Sequence, residues 1–279
     1  MSESGYFSDV GLSVFTLSPV TPALSIPDVV NGADALAVAH GPEAVMARDR
    51  GAPIRIVGAL VSQPTAGLIW LRNTKIESIA DLKGKTIAIP GLSFQEEFLR
   101  IALAHEGLTL GDVEVLKVGN DLVPALVSGR ADAIFGGSFN VEGVELESRG
   151  LEPVGLTVED VDIPEYDELV LVARADVIAK EPDLIRDFMS ALAEGTGAAL
   201  KDPEGGAKAL DASVESTPKW GYKLTLAGVE ETLPLLSESG YTDPAKLGRL
   251  VDWMFEKGMI QSDLEISELL TNDFAAEEP

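Results

Sequence analysis

Val127-Ser128-Gly129-Arg130-Ala131-Asp132-Ala133-Ile134-Phe135-Gly136-Gly137 has an earlier counterpart in the same chain, Val29-Val30-Asn31-Gly32-Ala33-Asp34-Ala35-Leu36-Ala37-Val38. Each stretch reads as the end of a helix, a Gly, an Asp and a short apolar strand. A Gly just past a helical segment is a stop signal, because it takes the left-handed conformation without a Cβ penalty. Each stretch then runs into a short, polar-tipped segment that contains a Glu. In the first it is His40-Gly41-Pro42-Glu43, and in the second Ser138-Phe139-Asn140-Val141-Glu142. Two α/β units built to one plan predict two similar lobes. Ligands of α/β sheets sit beyond the carboxyl ends of the strands. Two such ends facing each other would form a cleft for a small molecule.

Working outward from the repeat, Leu12–Leu17 alternates like a strand. Residues 24–31 predict a short helix closed by Gly32, and 35–39 the strand that follows. Pro42 near a first turn and Gly51 as a stop bracket a helix over 42–50. Strands are expected over 54–61 and 67–71. A helical turn at 79–85 leads to a strand over 86–90. Ser93, with Glu96 three residues on, has the spacing of a capping box for a helix over 94–106. A strand over 113–118, a helix over 122–127, a strand over 133–136 and a helix or turn over 141–149 come next. A strand over 168–172 returns toward the first lobe. Helices over 182–200, 203–215, 225–237 and 244–257 complete the chain.

Strands alternating with helices predict a mainly parallel sheet. One lobe is expected at 1–72 plus 167–279 and the other at 76–162. The crossings near Asn73 and near Asp162-Ile163-Pro164 would permit hinge closure. A single doubly wound sheet without a hinge is the competing topology.

Charge narrows the function classes. The 279 residues carry 46 acidic and 21 basic side chains, a formal charge of −25. Nucleic-acid binding rests on Lys and Arg neutralising phosphates, so that class is disfavoured. The charges are interspersed, which confines expected disorder to the Ala275–Pro279 tail. Dense carboxylates suit an acidic, halophilic protein, in which salt screens the repulsion. With no Cys, disulfides, thiolate metal sites and a Cys nucleophile are excluded. No run approaches the ~20 apolar residues of a membrane-spanning helix. Met1–Phe7 has neither the basic nor the apolar part of a signal segment.

A catalytic or metal site is poorly supported. His105 reads as a surface residue beside Glu106. His40, at the carboxyl end of a strand, is in a ligand position or serves as a core or cap residue. Two isolated His residues do not make a zinc site, and no cofactor is implied by the residues alone. Gly-x-Gly-x-x-Gly, Walker and Gly-x-Ser-x-Gly patterns are missing. Pro90-Gly91-Leu92-Ser93-Phe94 opens a helix, so its N–H groups either meet an anionic or carbonyl group of a ligand or are simply capped by Ser93. Ser138–Gly143 offers the Phe139 ring, the Asn140 amide and the Glu142 carboxylate. Tyr166-Asp167-Glu168 offers another ring and more carboxylate. A carboxylate accepts from an exocyclic amine, and an amide both donates and accepts. Glu142 and Glu145 also fit the solvated face of a surface helix.

At these residues a resemblance enters. Gly5-Tyr6-Phe7-Ser8-Asp9-Val10-Gly11-Leu12 resembles the opening of extracytoplasmic solute-binding proteins, and Ala80-Asp81-Leu82-Lys83-Gly84-Lys85 is similar to their entry to the second lobe. Three further motifs resemble the branch that binds thiamine-precursor pyrimidines for ABC transporters. They are Asn140-Val141-Glu142-Gly143-Val144-Glu145-Leu146-Glu147, Tyr166-Asp167-Glu168-Leu169-Val170-Leu171-Val172 and Thr271-Asn272-Asp273-Phe274. The likeness covers nearly the whole chain. It implies an α/β fold of the periplasmic binding protein type II class, with two lobes and a hinge. It also implies an aminopyrimidine ligand and a membrane permease as partners, a monomeric protein and an extracytoplasmic location where a signal precedes the start.

Carried onto this chain, Glu142 would accept from the ring amine and Asn140 would orient the ligand. Phe139 would stack with Tyr166, with Ser93 and Phe94 at the helix mouth; His40 and Glu168 join the ligand-binding candidates from their places at strand ends. Phe139 stands where the family usually has a larger aromatic. The family also has a first strand before Gly-Tyr-Phe, whereas only Met1-Ser2-Glu3-Ser4 precedes Gly5 here, so that strand is expected to be missing. Other heterocycles or sulfonates are the alternative ligands. A related pyrimidine synthase that uses pyridoxal phosphate shares the fold, but His40 does not match its motif.

Overall fold

Both copies of the repeat end a helix on a left-handed glycine. Gly32 has φ 79° and Gly129 φ 72°, a region that L side chains enter only with strain. After Gly32, Ala33 N–H reaches back to the Asp28 carbonyl at 2.9 Å, and after Gly129, Ala131 N–H reaches the Ala125 carbonyl at 3.1 Å. The strand after each turn is β1 (Leu36–His40) in the first copy and β6 (Ala133–Ser138) in the second. In the second copy the Asp joins two strands, since Asp132 accepts from Thr86 N–H at 2.9 Å. The computed structural model describes residues 5–17, 22–213 and 221–276.

The other strands are β2 (Ile54–Val61), β3 (Ala66–Leu71), β4 (Thr86–Ile89), β5 (Glu114–Lys117), β7 (Pro153–Thr157) and β8 (Leu169–Arg174). They form two sheets, one of order β1-β8-β2 and one of order β5-β4-β6-β3-β7. The chain divides into two compact units, residues 1–63 with 166–279, and residues 64–165.

The first sheet is antiparallel throughout, and its central strand, β8, arrives from the far end of the second unit. Val170, Leu171, Val172 and Ala173 of β8 are all buried, as a strand covered on both faces requires. Helix Pro182–Lys201 packs against this sheet through Ile185, Met189 and Leu192, which share a cluster with Val57, Leu171, Ala173 and Phe274. Their spacing is that of one helix face. Gly58 of β2 is needed beneath it, because a Cβ there would stand 2.3 Å from Met189 Cε.

The second sheet is mixed. β4 pairs in parallel with β5 and β6, while β3 runs antiparallel to β6 and β7. Its core gathers Ile69, Ala88, Leu122, Leu126, Ile134 and Leu146.

Three sequence-based expectations are corrected, and one strand had not been anticipated. The sheets are not mainly parallel, because β8 and β3 each enter against their neighbours. β3 was expected in the first lobe, but Ser62-Gln63-Pro64-Thr65 carries the chain across, and β3 pairs only in the second sheet among the described residues. Leu12–Leu17 forms no strand, and Phe15 and Leu17 are 82% and 75% exposed. Alternation makes a strand only where a sheet partner pairs with it. β7 escaped notice because Pro153 and Gly155 argue against a strand, yet Pro153 is its first residue and β7 lies at the sheet edge, where proline is tolerated.

The helices after residue 175 follow the expected order, as Pro182–Lys201, Pro203–Ser213, Tyr222–Thr232 and Pro244–Glu256, preceded by Ala175–Lys180. The final two residues of the expected 203–215 helix, the 277–279 end of the tail and residues 1–4 lie outside the described residues. No helix among the described residues is long and apolar enough to cross a membrane.

Candidate functional site

In the first unit the carboxyl end of β1 delivers His40 directly into helix Gly41–Asp49, for which it is the N-cap residue. His40 Nδ1 lies 2.8 Å from Glu168 Oε1. The Tyr166 hydroxyl donates to Glu168 Oε2 at 3.3 Å. Tyr166 and Glu168 are 1% and 3% exposed, whereas the His40 side chain retains a quarter of its exposure. β8 is antiparallel to β1, with His40 opposite Leu169, and this register brings the two side chains together. Glycine is required at position 41, because a Cβ would stand 2.5 Å from the Asp167 carbonyl oxygen.

Burial opposes a charge on His40, but the hydrogen bond and charge of Glu168, with the nearby Glu43, outweigh it and hold the imidazole pKa above its usual value. Glu43, in the first turn of the same helix, is pushed up by burial against the opposing pull of His40 and Arg50. Burial and the Glu168 charge lift the Tyr166 hydroxyl well above its ordinary range. A folded-state His pKa above the unfolded one contributes stability that is complete below about pH 6.5 and is lost as pH rises through the folded value. Thermal melts of the native chain and Glu168→Gln across neutral pH are therefore expected to converge as pH rises. A constant gap would show that His40 does not titrate against Glu168.

In the second unit β6 ends at Ser138 and runs into a single wide turn of π-helix, Phe139–Gly143, followed by α-helix Val144–Ser148. Glu142 folds back, and its Oε2 accepts from Ser138 N–H at 2.7 Å. Burial raises the Glu142 pKa against this hydrogen bond, and Glu145 adds repulsion. Ser138 Oγ lies 3.0 Å from Thr65 Oγ1. The Phe139 ring rests against Gly67, where a Cβ would approach its Cε2 to 2.8 Å, and packs on the core under β6. Asn140 occupies the same turn, between Phe139 and Glu142. π-Turns widen a helix by one residue and recur at functional sites.

The helix mouth differs from expectation. Helix Ser93–His105 has Leu92 at its N-cap position, so Ser93 is its first residue rather than its cap. Gln95 supplies the acceptor instead, taking Leu92 N–H at 3.3 Å. Ser was the stronger sequence signal, but the turn begins one residue earlier. Gln95 is 3% exposed and reaches Gly136 of β6, where a Cβ would be 2.8 Å from its Nε2. Phe94 is 2% exposed, and its ring meets Phe98 edge-on at 5.3 Å, so it is a core residue of that helix. His105 pairs with Asp162 at 2.9 Å on the exposed side. No group of three potential metal ligands occurs among the described residues.

The structure thus joins His40, Tyr166 and Glu168 in one unit, and Phe139, Asn140 and Glu142 in the other. Thr65 and Gln95 escaped the sequence reading, and Glu43 was marked there as the Glu of the first repeat without a place in the site. Gln95 and Glu43 each had a usable signal, a position three residues after the N-cap residue.

The fold is that of the periplasmic binding proteins. The alkanesulfonate-binding protein SsuA of Xanthomonas axonopodis pv. citri superposes with a TM-score of 0.70 over 90% of this chain and 85% of its own, at 19% identity. The family profile described as NMT1/THI5 like matches residues 2–206, and the chain belongs to that family. It is 30% identical over 236 residues to a formylaminopyrimidine-binding protein of Halalkalibacterium halodurans, covering 85% of this chain and 71% of that one. It is 26% identical to the 4-amino-5-hydroxymethyl-2-methylpyrimidine phosphate synthase of Schizosaccharomyces pombe, over 94% of this chain and 77% of the synthase.

Proposed function

We propose that this chain is the solute-binding component of an ABC importer and that its ligand is a thiamine-precursor aminopyrimidine of the hydroxymethyl or formylaminomethyl type. The observation that carries this reading is its similarity to the formylaminopyrimidine-binding protein across most of the chain. The chemistry of the candidate residues agrees with it. Their charged members are the carboxylates Glu142 and Glu168 with His40, and no Lys or Arg stands among them. Carboxylates accept from a ring amine and repel a sulfonate. Glu142 is assigned to the exocyclic amine, Asn140 to ligand orientation, and Phe139 with Tyr166 to the ring. His40, Ser93 and Glu168 complete the candidate set. A permease is the partner, the protein acts as a monomer, and the location is extracytoplasmic.

A thermal-shift panel of aminopyrimidines, alkanesulfonates, riboflavin and pyridoxal phosphate tests the proposal. Ligands that bind only the folded state raise the melting temperature. The expected result is a shift with the aminopyrimidines alone. A shift with sulfonates alone would move the chain to another ligand class. An imine absorbance with pyridoxal phosphate would favour the enzyme.

A further inference from the structure

Lys246 lies in the first turn of helix Pro244–Glu256 and is 8% exposed. A helix N-terminus disfavours a cation, and a buried ammonium needs partners. Its Nζ donates to the Ser62 carbonyl at 2.7 Å and meets Asp167 Oδ1 at 2.6 Å. Ser62 is one residue from the end of the first pass through its unit, and Asp167 is the second residue after the chain returns. One ammonium therefore ties the outgoing and returning segments together within one unit.

The start of its helix is itself fixed. Asp243 caps it by accepting from Ala245 N–H at 2.8 Å. Asn272 accepts from Thr242 N–H at 3.1 Å and donates to the Thr242 carbonyl at 2.9 Å. Asn272 of the Thr271–Phe274 motif thereby holds the residue that precedes the cap of the Lys246 helix.

We propose that Lys246 is a positioning residue for the ligand site: by gripping Asp167 it sets the placement of Tyr166 and Glu168, which flank it. This rests on the ligand reading above. Tyr166 and Glu168 are hydrogen-bonded to each other, while Asp167 turns to Lys246 and its carbonyl packs against Gly41. The segment is thus held at its side chain by the cation and at its backbone by Gly41, beside His40.

The double variant Lys246→Met/Asp167→Asn removes both charges and leaves neither buried alone. Should it fail to fold, Lys246→Arg serves, since it keeps both charges buried as a pair while changing the reach and geometry of the grip on Asp167. Two readouts are taken on the full chain: the His40 titration by NMR without ligand, and the dissociation constant for 4-amino-5-hydroxymethyl-2-methylpyrimidine by calorimetry. The expected result is a native-like melting temperature, a His40 pKa displaced toward the ordinary imidazole value as Glu168 loosens, and affinity weakened about tenfold, because two side chains must be ordered on binding. An unchanged His40 titration overturns the proposal and leaves Lys246 a purely structural ion-pair member. If the native chain fails to bind the pyrimidine, the ligand reading falls, while the His40 titration still decides whether Lys246 positions Glu168.

Discussion

Asp167→Ala is expected to lower stability by about 3–5 kcal/mol, because removing one partner of a buried pair strands the other charge. The two side chains retain only 10% and 5% of their exposure, so water does little to screen the remaining cation. The Ser62 carbonyl still accepts from Lys246, which places the loss toward the lower end. Urea unfolding at neutral pH measures it. A loss below about 1 kcal/mol, the scale of an exposed pair, would mean that solvent reaches Lys246 once the carboxylate is gone. Replacing both charges together should cost far less, since desolvation of the pair consumes much of its attraction.

Glu142→Ala is expected to separate binding from stability. Losing one charged hydrogen bond to the ligand costs about 1.5–3 kcal/mol, so the dissociation constant of an aminopyrimidine should rise by about tenfold or more. The fold should lose little. Burial raises the Glu142 pKa, so the folded state holds that carboxylate at a cost that the substitution removes, while the Ser138 N–H loses its acceptor. Calorimetric titration and thermal melts of the variant make the comparison. Unaltered affinity would reject the role given to Glu142, and a collapse in melting temperature would make it a cap of the π-turn above all.

Much of the architecture was readable because it depends on local chemistry. Gly32 and Gly129 end helices through backbone freedom that no other residue matches, so the repeated units stand out without any alignment. The amphipathic spacing of Ile185, Met189 and Leu192 announces its helix in the same way. What escaped depends on partners distant in the chain. Nothing in 67–71 tells which sheet it joins, and Leu12–Leu17 has the pattern of a strand but no strand to pair with among the described residues. The candidate site divides along the same line. Glu142, Asn140 and Phe139 occupy one turn and were found together. The bond between His40 and Glu168 spans 128 positions and follows only from the register of β1 on β8. Lys246 gave no signal at all, since a lysine in a first helical turn reads as an ordinary surface residue until Asp167 is seen beside it.

The middle position of β8 in the β1-β8-β2 sheet has a consequence for biosynthesis. Residues 64–165 form an uninterrupted unit, and all five strands of its sheet have been synthesised before residue 169 is added. The earlier-made β1 and β2 must wait for β8, because it lies between them in the sheet and pairs with both. Domains generally fold as units during translation. The inserted unit is therefore placed to complete its sheet first, while β1 and β2 stay without their central strand until β8 follows.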